Sequence, residues 1–472
     1  MEMLLNGEWV DREEKSEIRD PGRGDVVDTV PLASVDDMRA ALDAAEAAKT
    51  VAKKMPVHER MTVLHGAAEI IQDQFEDYAT TIAREGIKTI REARKEVGRC
   101  IHTLRLSAEA ARHVCGETIK FDQYPGGERR LGYYVLEPAG IVAALTPFND
   151  PLNLVAHKVG PGLAAGNAVI VKPDSKTPLS ALKLARAIHD AGMPAGILQC
   201  ITGPGSVIGD LLITDPRVRV VSFTGGLAAG KIIASRAGLK KVGMELGSNS
   251  PVIIMADADI ESAVELTVSG SFWAAGQNCL HAQRILIQDG VYEDVRARLV
   301  AATEAYNVGD KLDEATDMGP LINESAAMNV ERMVDEAVEA GATVLTGGSR
   351  SGTFYEPTLL ENLPDGVDLS CEEVYGPVSV LYRFKTLDEA IARSNDVDYG
   401  LQAAIFTTDI ETALRASEEL ECGGVMINES TDYRMDGMPF GGVKGTGLGR
   451  EGIKFAIHEM TEPKVVCYTR PG

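Results

Sequence analysis

Several absences narrow the field at once. The chain holds no apolar run of the roughly eighteen residues that a membrane-spanning helix needs. Its opening stretch, MEMLLNGEWVDREEKSEIRD, is acidic where a secretory signal has a basic start and an apolar core. Basic residues are in deficit: 47 Lys and Arg stand against 70 Asp and Glu, a formal net charge of -23. A field of that sign repels nucleic acid and anionic lipid. It does not exclude an anionic small substrate, because a local cationic pocket can oppose the global field. The seven cysteines are odd in number and widely spaced, with no CxxC pair. A disulfide framework or structural zinc site is therefore not expected. The eight histidines show no HExxH or comparable ligand spacing. The expectation is a cytoplasmic protein with no metal, no nucleic-acid partner and no membrane partner.

What is present is ample. With 472 residues, 44% of them hydrophobic, the chain can bury more than one core, and two or three domains are expected. Asn6-Gly7 marks a first hairpin. From Val35 to about Arg112 the apolar period is helical, with Ser34, Pro56 and Gly86 where caps or breaks belong. After the β-rich ERRLGYYVLEPAGIVAALTPFN, short apolar strands alternate with helices: AVIVKP, PLSALKLARAIHDAG, ILQCITG, SVIGDLLITD, VRVVSFTGG, LAAGKIIASRAG. Such alternation predicts a mostly parallel, doubly wound α/β sheet. A second α/β series begins near Ile260, and the tail KVVCYTR is one more strand.

Candidate chemistry is scattered along this frame. Phe223-Thr224-Gly225-Gly226 join a strand to a helix, where free backbone N–H groups can meet a phosphate. The ITGPGSVIG turn, with Gly203 and Gly205, offers a second such place. Neither turn is a GxGxxG fingerprint, and glycine-rich strand–helix turns occur without any ligand. Glu245 in GMELGSNSP and Glu373 in SCEEVYGPV stand at apolar-to-glycine transitions. A lone glutamate is more often a solvated side chain, and Asn149 in TPFNDP serves equally as a turn former. Cys279, in AAGQNCLHAQRIL, reads by itself as a small core residue as readily as a nucleophile.

As a set, TPFN, AGNAVIVKP, GPGSVIG, SFTGG, MELGSNSP, GQNC, EEVYGP and MPFGGVKGTGLGREG resemble the aldehyde dehydrogenase superfamily, in order and over nearly the whole chain. The resemblance implies a Rossmann-like NAD(P)-binding domain over residues 1–117 and 139–246. It further implies an α/β catalytic domain over 247–445 and a bridging oligomerisation segment at 118–138 and 455–472. It assigns Cys279 as nucleophile, Asn149 as oxyanion donor and Glu245 as general base. Acylating relatives lack the glutamate, so its presence points to a free-acid product. Rival readings are an acylating or reductive dehydrogenase and a retired scaffold. Intact Asn149, Glu245, Cys279 and Glu373 argue against retirement.

For the nucleotide the resemblance assigns Lys172 to the adenosine ribose, Glu373 to the nicotinamide ribose, and Phe223, Thr224, Gly225 and Gly226 to the pyrophosphate loop, with Gly205 at the adenine end. Many members carry serine where this chain has Gly226. Strict NAD users often carry glutamate where it has Ser175. With Lys176 beside that serine and Asp174 opposing, a site permissive for NAD and NADP is expected. Asp150, His157 and Arg434 stand where other members line the entry funnel with aromatics, which predicts a short acidic or hydroxylated aldehyde. The alternative is an internal pair, Asp150–Arg434 or Asp432–Arg434, that only shapes the pocket. A homodimer or homotetramer is implied, bridged through FDQYPGGERRLGYYVLEP and the terminal strand.

Overall fold

The computed structural model describes residues 1–471. The Asn6-Gly7 turn forms as read: both residues take positive φ, 52° and 77°, closing a hairpin of Met3–Leu5 and Glu8–Val10. Helix Val35–Lys54 starts at a capping box in which Ser34 and Asp37 each satisfy the other's backbone N–H. Helix Ile90–Ala111 starts the same way, at Thr89 and Glu92.

Two large sheets and a three-stranded one organise the described residues, beside two two-stranded ribbons. The first has eight strands, in the order Glu8–Val10, Met3–Leu5, Leu198–Cys200, Ala168–Lys172, Ile141–Leu145, Val218–Thr224, Lys241–Glu245 and Gly447–Leu448. From Leu198–Cys200 to Lys241–Glu245 the pairs are parallel. After Ile141–Leu145 the chain winds to one side through two strands, then returns to build on the other. The strand order thus reverses beside Ile141–Leu145, and a doubly wound sheet opens a crevice at the carboxyl ends of the strands flanking such a point.

The second sheet has seven strands, in the order Thr343–Thr346, Thr358–Glu361, Val378–Phe384, Ala282–Gln288, Ser250–Ile254, Gln402–Phe406 and Gly424–Ile427. All its pairs are parallel except that of the edge strand Thr343–Thr346. Central strands such as Ser250–Ile254 are buried along their whole length, which is why they read as continuous apolar runs rather than alternating ones.

The tail strand Thr461–Thr469 pairs antiparallel with Arg130–Pro138 of the same chain, in a three-stranded sheet. Before reaching it the chain comes back to the first body. Gly447–Leu448 lies beside Lys241–Glu245, and Ile453, Ile457 and Met460 join the core under the first sheet. Ile457 and Met460, expected in the bridging segment, therefore pack in the first core, where helix Ile453–Glu459 lies against helix Asn153–Ala164. Among the described residues no helix is long and apolar enough to cross a membrane.

Candidate active site

A cavity of about 820 Å³ opens where the carboxyl ends of Ile141–Leu145, Ala168–Lys172, Val218–Thr224 and Lys241–Glu245 face the second body. It brings together Asn149, Lys172, Gly205, Phe223, Thr224, Gly225, Gly226, Glu245, Cys279 and Glu373. Part of its lining is apolar, with Ile213, Ala229, Ile232 and Ile233, and Ile232 is 59% exposed. Asn149 and Thr224 also line it, and Asn149 Oδ1 and Thr224 Oγ1 are buried without a protein partner. Buried polar atoms are seldom left unpaired in native proteins. Gly226 caps helix Leu227–Ala237 and has open space around its Cα, so the helix N-terminus is accessible to an anion.

Cys279 is presented by a tightly wound loop. Ala274, Ala275 and Gly276 take successive positive φ of 52°, 54° and 68°, a conformation costly for alanine. Neighbours hold it in place. Gln277 Nε2 donates to Ala274 O and to Pro320 O, each at 3.3 Å, and its Oε1 accepts from Ile322 N–H at 2.9 Å. Asn278 Nδ2 donates to Trp273 O at 3.1 Å. At Gly276 a side chain would collide with the Gly376–Pro377 backbone, its Cβ lying 2.9 Å from Pro377 N. Burial pushes the Cys279 thiol up to about 12, with Arg434 pulling the other way.

Glu245 ends its strand, buried, with Oε2 unpartnered. Burial and then the neighbouring Glu451 raise its carboxyl well above the usual range. Glu373 lies against Gly247 and accepts the Ser248 N–H at 2.9 Å; burial pushes it up to about 7. Lys172 is buried, with its ammonium on Pro173 O at 2.7 Å.

Four of the expected residues sit elsewhere. Ser175 is exposed and outside the cavity lining. The Asp174 carboxylate accepts the Lys176 N–H at 2.8 Å, and this tight turn leaves Asp174 and Lys176 facing the cavity. Asp150 pairs with Lys88 and, at 3.4 Å, with Arg99. His157 is fully buried and bonds Asp436 through Nε2 at 2.9 Å. Arg434 donates to Glu451 at 2.9 Å and stacks 3.7 Å from the Phe440 ring centroid. None of the last three is among the residues that line this cavity; each is paired inside the protein. Desolvated charges seek a partner inside the protein. Neither Asp150–Arg434 nor Asp432–Arg434 forms; the partner is Glu451. Arg434 nevertheless keeps one donor, Nε, buried and unpaired.

Sequence reasoning passed over Glu451, Lys158, Asp436 and Lys88. Lys158 bonds Glu451 at 2.8 Å and Ser222 at 3.1 Å. Burial opposes ionisation of Glu451, yet Lys158 and Arg434 hold it well below the usual carboxylate range. The signal was a lysine inside the apolar helix NLVAHKVGPGLA, which requires a buried counter-charge.

A two-body α/β protein with a dinucleotide-sized crevice at a strand-order reversal, and a thiol in its lining, is the architecture of a nucleotide-dependent oxidoreductase. The chain belongs to the aldehyde dehydrogenase family, whose model matches residues 9–466; it is an NAD(P)-dependent aldehyde-oxidising enzyme. It is 43% identical to the 3-sulfolactaldehyde dehydrogenase of Priestia megaterium, over 98% of this chain and 97% of that protein. The structure of aldehyde dehydrogenase 21 from Physcomitrella patens, in complex with its reaction product succinate, aligns with a TM-score of 0.97 at 38% identity, covering 99% and 98% of the two chains. The glyceraldehyde-3-phosphate dehydrogenase of Methanocaldococcus jannaschii, complexed with NADP, aligns at 0.94 and 38%, covering 98% and 100%.

Proposed function

We propose that the enzyme oxidises a short anionic or hydroxylated aldehyde to its free acid through a covalent Cys279 intermediate. The carrying observation is that Cys279, Asn149, Glu245 and Glu373, far apart in sequence, line one cavity. The Cys279 thiolate adds to the aldehyde carbonyl. The oxyanion that forms is met by the Asn149 amide and the Cys279 backbone N–H. When bound, the nicotinamide nucleotide supplies the hydride acceptor that turns the thiohemiacetal into a thioester. Glu245 then takes a proton from the water that hydrolyses the thioester, and a carboxylate held above its ordinary range is a stronger base for that step. The unpaired Thr224 hydroxyl, the open helix N-terminus at Gly226, Glu373 and Lys172 would hold a dinucleotide, and Ile213, Ile232 and Ile233 would offer apolar surface to its base. NAD and NADP are both expected to serve. A kcat/KM preference for either beyond about a thousandfold, roughly 4 kcal/mol, excludes a permissive site.

The anionic substrate reading rests on the positive charge of Arg434, which is felt at the Cys279 thiol. The sulfonated, carboxylated and phosphorylated compounds named for the three similar proteins support it. Domains divided near residue 246, and a homo-oligomer bridged by the three-stranded sheet, are part of the same reading. Leu131, Tyr133, Val465 and Tyr468 stand exposed on that sheet.

The test is steady-state oxidation of succinic semialdehyde and propanal by the wild type, Cys279→Ser and Arg434→Met. The serine variant should oxidise neither. Loss of a charged hydrogen bond, about 1.5–3 kcal/mol, should raise the R434M KM for the semialdehyde more than tenfold beyond any change for propanal. Equal changes for the two aldehydes would remove Arg434 from substrate recognition.

A further inference from the structure

Helix Ile90–Ala111 runs past both halves of the proposed site, and the chemistry above uses none of its residues. Glu92 accepts the Thr89 N–H at 2.8 Å as its helix cap, and its other oxygen accepts the Ala274 N–H at 2.8 Å. Ala274 is the first of the left-handed residues that lead to Cys279. One turn further on, Glu96 Oε1 accepts the N–H groups of Leu152 and Asn153 at 2.8 and 3.0 Å, where the Asn149 loop becomes a helix. Its Oε2 takes the Lys88 ammonium at 2.9 Å. Lys88 also pairs with Asp150, the neighbour of Asn149. Arg99, another turn on, reaches Asp150 at 3.4 Å and Asp436 at 2.8 Å.

The side chains of Lys88 and Glu96 are 2% and 0% exposed. Buried ion pairs contribute little net stability over an apolar replacement, and one use of keeping them is to specify geometry. The geometry at stake is that of Asn149, whose Oδ1 has no protein partner. Its placement therefore depends on the loop that carries it.

We propose that Lys88, anchored on Glu96, is a positioning residue for Asn149. It clamps Asp150 and so sets where the adjacent amide stands relative to the Cys279 thiol, whose loop the same helix grips through Glu92. The proposal rests on the reading of Asn149 as oxyanion donor.

A double-mutant cycle on the holoenzyme tests it. Lys88→Met, Asn149→Ala and the double variant are compared by single-turnover oxidation of succinic semialdehyde, followed as reduced nucleotide, with nucleotide Kd measured separately by fluorescence. Asp150→Ala, which leaves Lys88 on Glu96, takes the place of K88M if that variant does not fold. Misplacing one oxyanion donor should slow the first turnover about tenfold to a hundredfold, with nucleotide Kd unchanged. In the N149A background the same change should cost less than about threefold, since there is no amide left to misplace. An equal loss in both backgrounds overturns the proposal, as does a wild-type rate in K88M. If N149A itself turns over unimpaired, the oxyanion reading has failed, and the clamp with it.

Discussion

Substituting alanine for Gly247 separates the role of Glu373 from everything else in the cavity. The backbone at Gly247 is not left-handed, so alanine brings no conformational strain. Its Cβ, however, would stand 2.6 Å from Glu373 Cδ and closer still to one carboxylate oxygen. Ordinary van der Waals separation then requires the carboxylate to retreat by about 1 Å. That retreat breaks the 2.9 Å hydrogen bond from Ser248 N–H and takes the carboxylate from the position proposed for ribose binding. A hydrogen bond to a charged group contributes about 1.5–3 kcal/mol, so nucleotide affinity should fall about tenfold to 150-fold. The assay is equilibrium titration of NAD and NADP at pH 8, read by protein fluorescence without aldehyde. Glu373→Gln alone and with Gly247→Ala closes the cycle: if both act through one carboxylate, the double variant should bind little worse than the weaker single variant. Binding within twofold of wild type in G247A, or fully additive losses, would refute the reasoning.

Two further outcomes follow from the electrostatics of the site. With Glu373 pushed up to about 7, its neutral form predominates below that pH and cannot accept both ribose hydroxyls. Nucleotide affinity should therefore rise as pH climbs from 6 through 7 and level off above it, one proton being released on binding; the dependence should vanish in Glu373→Gln, and its survival there would assign it to another group. With the Cys279 thiol pushed up to about 12 in the ligand-free protein, its thiolate fraction at pH 7 is about a thousandfold below that of a thiol titrating near 9. Iodoacetamide should label it slowly, accelerating about tenfold per pH unit without a plateau below pH 10, as judged by peptide mass; fast labelling that levels off near neutrality would show that the site supports a thiolate unaided.

What was readable from the chain was what neighbouring residues decide among themselves. The Asn6-Gly7 turn, the Ser34 cap and the helical apolar period from Val35 to about Arg112 rest on dihedral preference, local hydrogen bonding and side-chain spacing. The ordered motifs pointed to the Cys279 loop, Glu245 and Glu373 through their resemblance to a family rather than through local chemistry. The tertiary structure alone decided which charges meet. Asp150 went to Lys88 and Arg99, Arg434 to Glu451, His157 to Asp436, and Ser175 turned outward beside Asp174. Composition announces that a buried arginine must be neutralised but not by whom, because desolvation is paid by whichever opposite charge the packed backbones bring within reach. Local chemistry wrote the strands, helices and turns of this protein. The balance of its buried charges, which shapes the walls of the site, came into being only when distant segments were pressed together and water was excluded between them.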